Sequence, residues 1–166
     1  IGQNAGKLLL PTVSTYQRRA AMKIPNEDFL VNLGILAVLG IVFLVYIPSF
    51  GGELISDDIA LMEGGIPELG WSIITHVQKV IGVIPPYYRP ATSATLALER
   101  SVYGSYFFGF HIDNVIIYLG CILLIYLLMN QIGCSQQQSF FAMALFAALP
   151  IHVQPVCWIS GRADLL

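Results

Sequence analysis

Charge is what this sequence has least of. Only 11% of its 166 residues are Asp, Glu, Lys or Arg, against about a quarter in an ordinary soluble domain. Eight Lys and Arg face ten Asp and Glu, a net charge of -2. The basic surface of a nucleic-acid binder is therefore missing, and nucleic acid is excluded as a partner. The polar excess of a disordered tail is missing too. The three cysteines, Cys121, Cys134 and Cys157, have no metal-ligand spacing and cannot make a complete disulfide framework. What the sequence does have is apolar residues, 56% of the chain, and a mean hydropathy of +0.72. A membrane protein is the default reading.

The few charges are clustered. Residues 29–52 contain none, and neither do residues 114–161. A spanning helix needs roughly 20 apolar residues. The first run holds one span, residues 29–47. The second holds two, residues 111–130 and 139–158, separated by a polar turn at residues 131–138 that contains Gly133. Pro150 and Pro155 fall inside the third span and predict a kink or break near its end. Tyr46 and Trp158 sit at span ends, where aromatic side chains favour the interface. The fold class is thus an all-α integral membrane protein with three transmembrane helices.

Orientation follows from the basic residues. Lys7, Arg18, Arg19 and Lys23 precede the first span, against Glu27 and Asp28. This excess places segment 1–28 in the cytoplasm. That segment lacks the apolar core and small-residue cleavage site of a signal peptide. Residues 48–110 then form an exoplasmic loop, and residues 159–166 lie on the same side. The chain starts at Ile1 and stops at Leu166 just after a span, the aspect of a truncated chain.

The exoplasmic loop is too long for a connector. Apolar residues recur at Ile73, Ile74, Val77, Val80 and Ile81, with Ser72, Thr75, Gln78 and Lys79 on the other face. This spacing predicts an amphipathic helix, either lying in the membrane interface or packed on the spans. A second helix is predicted from Pro90, a favoured first-turn residue, to Gly104. Glu99 and Arg100 read as a solvated pair, and His76 as a polar-face residue without chemistry.

Polar residues gather at the exoplasmic side. They are Asp57 and Asp58, then Arg89 with His111, Asp113 and Asn114, then His152, Gln154, Arg162 and Asp164. A carboxylate pair can supply a general base, because one charge raises the other's pKa. Arginine suits phosphate, since guanidinium binds it through two parallel hydrogen bonds. His111 and His152 can donate to a phosphate or orient a carboxylate. A base, a phosphate clamp and a membrane together suggest transfer from a lipid phosphate. Each residue also has a plainer role. The acidic pair can cap a helix, Arg162 can anchor at headgroups or pair with Asp164, and His152 can satisfy backbone freed by Pro155.

The motifs also resemble one family. Asp57–Asp58 after the first span, YRP at Tyr88–Pro90, FGFHIDN at Phe108–Asn114 and LPIHVQPVCWISGRADLL at Leu149–Leu166 are similar to the N-terminal part of the membrane O-mannosyltransferase-like proteins that carry tetratricopeptide repeats. Those belong to the GT-C glycosyltransferase superfamily. The resemblance runs from about Phe29 to the end, and WISGRADLL is its most specific stretch. It implies the N-terminal part of a GT-C fold, a sugar donor on a polyprenyl phosphate, and a protein hydroxyl or another glycan as acceptor. It implies inverting displacement, with Asp57 or Asp58 as base. Arg162 is then expected on the lipid phosphate, supported by His111 and His152; Arg89, Asn114 and Asp164 complete the expected substrate-binding set. It implies neither metal nor cofactor. The sequence departs from the family pattern at Leu149, where members often have His before Pro150, at Gln154, where they have Glu, and at Tyr118, where they have a second His. These departures support an alternative, a non-catalytic transmembrane subunit packed against other membrane subunits. Small residues at Gly34, Ala37, Gly120, Ala142 and Ala144 would allow close helix contacts. The host membrane is a bacterial cytoplasmic membrane or the endoplasmic reticulum.

Overall fold

The computed structural model describes residues 27–52, 54, 57–75 and 88–166. Every described element is helical. Helix α1 covers Glu27–Tyr46 and runs into a 3-10 turn, Ile47–Gly51. A short α2, Asp57–Ala60, continues into a wide turn at Leu61–Gly65. Helix α3 is Ser72–Thr75, α4 is Pro90–Tyr103 and α5 is Phe107–Gln131. Helix α6, Gln136–Ala148, is followed by a 3-10 turn at Pro150–His152, α7 at Val153–Cys157 and a last 3-10 turn at Ser160–Asp164.

Among the described residues, two segments are long and apolar enough to cross a membrane: residues 28–51, which contain α1, and α5. The reason is chemical. Lipid offers no hydrogen-bond partners, so a spanning backbone must satisfy its own groups, and a helix does so. The third expected span is two helical pieces, α6 and Pro150–Cys157, bent by 53°. Pro150 lacks the N–H that would continue α6, and Leu149 before it is extended, with ψ at 124°. The turn before α6 carries a capping box. The Ser135 hydroxyl accepts from the Gln138 amide at 3.3 Å, and the Gln138 side chain accepts from the Ser135 amide at 2.9 Å.

The first core lies among these helices. Ile35 and Val42 of α1, Val115, Tyr118 and Ile122 of α5, Met143 of α6 and Val156 of α7 are buried together. Gly34 permits close approach of α1 to α6, because a Cβ there would stand 2.9 Å from the Phe140 ring. The outer faces stay apolar: Leu36, Ile41, Leu44, Leu124, Leu128, Phe141 and Leu145 are all more than half exposed. Such a continuous apolar exterior suits lipid.

A second core joins the loop to the spans. Leu61, Ile66, Leu96, Ala97, Phe110 and Ile159 pack together. Helix α4 begins at Pro90 and ends where Gly104 takes φ 61°, ψ -113°, a conformation open to glycine and costly for any residue with a Cβ. The predicted amphipathic helix over residues 73–81 is described only as α3; Val77, Gln78, Lys79, Val80 and Ile81, with His76, lie outside the described residues. So do Lys7, Arg18, Arg19 and Lys23.

Candidate functional site

The acidic pair opens α2, and its two members have different surroundings. Asp58 is 1% exposed. Its carboxylate accepts the backbone N–H of Ser160 at 2.8 Å and of Ile159 at 3.3 Å, from residues more than a hundred positions away. Hydrogen bonds to an ionised acceptor are about twice as strong as neutral ones. Asp58 therefore ties the first loop to the WISGRAD segment. Its neighbour Asp57 is half-buried.

The WISGRAD segment is held from behind by Arg162, which has no exposed surface. Its Nε donates to Asn114 Oδ1 at 2.6 Å, and its Nη2 donates to the Phe110 carbonyl at 3.0 Å. Its Nη1 makes a buried ion pair with Glu99. Asn114 in turn donates to the carbonyls of Trp158 at 2.7 Å and Val156 at 3.3 Å. One asparagine thus binds both the guanidinium and the backbone before it. These contacts join α4, α5 and the chain after α7 into one polar block at one end of the bundle. A guanidinium this deep is compensated by matched acceptors, as a buried charge must be.

Gly161 completes the turn for a steric reason. A Cβ there would lie 2.8 Å from Pro155 Cα and 3.1 Å from the Gln154 carbonyl oxygen. Both are backbone atoms and cannot rotate away. Gly161→Ala is expected to destabilise the fold by about 1–3 kcal/mol, the usual cost of overpacking. Gly120→Ala is the control, since no atom of the described residues lies within 4 Å of a Cβ placed there. Thermal unfolding of the two variants in lipid nanodiscs compares them; equal midpoints would defeat the steric account.

His111 is buried at 2% exposure. It lies near Asp58 and Arg162, and its ring is 3.9 Å from a Cβ placed on Gly52. The Cys157 carbonyl approaches the ring, but neither ring nitrogen meets hydrogen-bond geometry with a partner among the described residues. His152 sits elsewhere, in the aromatic cluster of the bundle. Its ring centroid is 4.3 Å from that of Phe146 and 5.2 Å from that of Tyr118. Tyr118 donates to the Ala147 carbonyl at 3.2 Å. Arg89 is half-buried at the start of α4, and Asp164 is exposed at the end of the last 3-10 turn. Of the residues singled out in the sequence, Asp58, His111, Asn114 and Arg162 thus come together, with Asp57 adjoining.

Glu99 is the correction. Read as half of a solvated pair with Arg100, it is only 7% exposed and bonded to Arg162. Arg100 turns the other way, onto the Met62 carbonyl at 3.0 Å. Burial pushes the Glu99 carboxyl up to about 7; the Arg162 hydrogen bond and charge oppose the rise, and neighbouring Asp113 adds to it. The signal was present in the phase of the helix. Thr92, Leu96, Glu99 and Tyr103 follow one another at steps of four, three and four, a single face of α4. Thr92 and Leu96 are buried, so an acid in that phase points inward.

The chain is 30% identical over 146 residues to the Protein O-mannosyl-transferase F38B6.6 of Caenorhabditis elegans, covering 81% of this chain and 21% of that protein. It is 32% identical over 134 residues to the Protein O-mannosyl-transferase TMTC1 of Homo sapiens, covering 74% and 15%. Against TMTC1 of Mus musculus it is 32% identical over 149 residues, covering 82% and 16%. The chain spans about a fifth or less of the length of these curated relatives. No family model and no solved structure matches it.

Proposed function

We propose that this chain is part of a membrane glycosyltransferase that moves mannose from a polyprenyl phosphate to a protein hydroxyl by inverting displacement. The observation that carries the reading is the joining of Asp57–Asp58 to the WISGRAD segment through the two Asp58 hydrogen bonds, in a chain similar to proteins named O-mannosyl-transferases. Within it we assign the base to Asp57. Both oxygens of Asp58 already accept backbone N–H groups, so its role is to hold Asp57 and the segment in register. A base that takes the acceptor proton as the lipid phosphate leaves needs such fixed placement.

The lipid phosphate is assigned to Arg89, with His111 in support; His152, expected beside it, packs in the aromatic cluster of the bundle instead. Arg162 donates to Asn114, Phe110 and Glu99 and is assigned to holding the segment from behind. Asn114 serves the same hold, and Asp164 stands at the exposed end. The GT-C form of the fold, the cytoplasmic N-terminus and the exoplasmic placement of the polar block belong to this proposal.

The test is transfer by the full-length protein in nanodiscs. Polyprenyl-phosphate-mannose should label a Ser/Thr peptide, while a nucleotide-linked mannose should not. Labelling from the nucleotide donor would defeat the donor assignment, and labelling from neither would defeat the activity. The second reading, a non-catalytic subunit, draws on Tyr118, whose hydroxyl is committed to the Ala147 carbonyl. It expects no transfer and stoichiometric co-purification with other membrane subunits in mild detergent.

A further inference from the structure

Helix α4 carries an apolar stripe that no described residue covers. Leu98 and Val102, one helical turn apart, are both more than half exposed. The stripe meets α5 across a groove of about 300 Å³ that no step above uses, with Ile116 and Ile117 on its other side. Ile116 also begins the exposed face of α5, where Ile116, Leu123 and Leu127 follow at steps of seven and four. Helix α5 is long and apolar enough to cross a membrane, so lipid meets that face, and the stripe of α4 continues it. The groove also holds acid, because Glu99 and Asp113 line it. Glu99 is 7% exposed, and its Oε1 takes the Arg162 guanidinium. Its Oε2 is buried and has no hydrogen-bond partner among the described residues. Asp113 Oδ1 accepts the Tyr103 hydroxyl at 3.5 Å. The other Arg162 donors are committed to Asn114 and Phe110, and Arg100 turns away to the Met62 carbonyl. Two carboxylates beside one guanidinium leave a place for one more cation, and a buried acceptor without a donor is costly.

We propose that the α4–α5 groove binds a phospholipid with an ethanolamine head, one acyl chain lying between Leu98, Val102 and Ile116 and the ammonium donating to Glu99 Oε2 and Asp113. A primary ammonium brings both the missing charge and the missing donor. A choline head has the charge but no N–H, and an anionic head meets two carboxylates. Arg162 already pulls the Glu99 carboxyl down against its burial, and an ammonium in the groove adds to that pull. The site rests on the membrane setting and is independent of the transferase reading.

The depth of the groove suits a lipid at the headgroup boundary. The 25 residues of α5 extend about 37 Å at 1.5 Å per residue, beyond the roughly 30 Å of the hydrocarbon core. Its first turns therefore reach the headgroups. Helical side chains lean toward the N-terminus, which carries the Asp113 carboxylate back toward that level. Ile116, nearly a turn deeper, faces the acyl chains. Tyr106, just before α5, is 82% exposed, as an aromatic side chain at the interface should be.

The experiment is native mass spectrometry of the full-length protein released from nanodiscs of phosphatidylethanolamine, phosphatidylcholine and phosphatidylglycerol in equal parts. A phosphatidylethanolamine with a photoreactive diazirine in its acyl chain locates the contact. Phosphatidylethanolamine should be retained in preference to the other two, and the crosslinks should include Leu98, Val102 or Ile116. Glu99→Gln and Asp113→Asn should each lower its retention by about tenfold or more, the worth of one hydrogen bond to a charged group. Val102→Trp, at an exposed position, should fill the groove and lower retention as well. Equal retention of the three lipids overturns the headgroup assignment. Unchanged retention in Asp113→Asn and Val102→Trp overturns the site, and these two decide alone if Glu99→Gln does not fold. Crosslinks confined to other surfaces overturn it too, as does a groove covered by another segment of the full-length chain.

Discussion

Asp57→Asn in the full-length protein is expected to lower mannose transfer by about 10²–10⁴-fold, the usual contribution of a general base. The substitution keeps the shape and removes the proton acceptor. Asp58→Asn is expected to act differently. Its carboxylate accepts two backbone N–H groups, whereas an asparagine amide has one oxygen and one nitrogen. Either Ile159 or Ser160 then faces a donor instead of an acceptor. A buried unsatisfied donor costs about 1–3 kcal/mol, so Asp58→Asn should lower the unfolding midpoint and take activity down with it. Transfer rate and thermal unfolding, measured on both variants, separate the roles. Full activity in Asp57→Asn sinks the base assignment. Lost activity in Asp58→Asn at an unchanged midpoint moves the base to Asp58.

The largest expected loss of stability is at Arg162. Arg162→Met removes every donor that holds Glu99, Asn114 Oδ1 and the Phe110 carbonyl. Removing one partner of a buried ion pair costs about 3–5 kcal/mol, because the other charge stays behind uncompensated. The loss should also depend on pH. Without the guanidinium, which pulls the Glu99 carboxyl down, that carboxyl shifts further up. At pH 6 it enters the fold neutral and the damage is limited; at pH 9 the fold must hold a bare charge or bind a proton. Glu99→Gln combined with Arg162→Met should recover part of the loss, chiefly at pH 9. Unfolding of the single and double variants at both pH values forms the cycle. Additive effects of the two substitutions would mean that the pair is not coupled, and the account of the polar block would fail.

Much of the architecture was legible locally. A run without charge from residue 29 to residue 52 has one stable arrangement in lipid, a helix that satisfies its own backbone. Pro90 at the start of α4 and Gly104 at its end are cues of covalent geometry. Ser135 and Gln138 form a cap within one turn of chain. Pro150 breaks the helix by itself, through its missing N–H.

The site was legible as a set of residues and not as a set of roles. The sequence placed Asp57 and Asp58 side by side as equals; only the fold buries one of them under Ile159 and Ser160. It paired Glu99 with its neighbour Arg100; the fold pairs it with Arg162, 63 positions away. It offered Arg162 to a phosphate, and the fold turns its donors onto Asn114, Phe110 and Glu99. By itself, then, the sequence determined the membrane setting and the all-helical architecture, because those follow from hydropathy and from bonds within one turn. Which carboxylates are buried, and which cation each one meets, was decided by the tertiary structure alone. Those choices depend on contacts between residues 48 to 102 positions apart, and the cost of burying a charge depends on the partner the fold delivers to it.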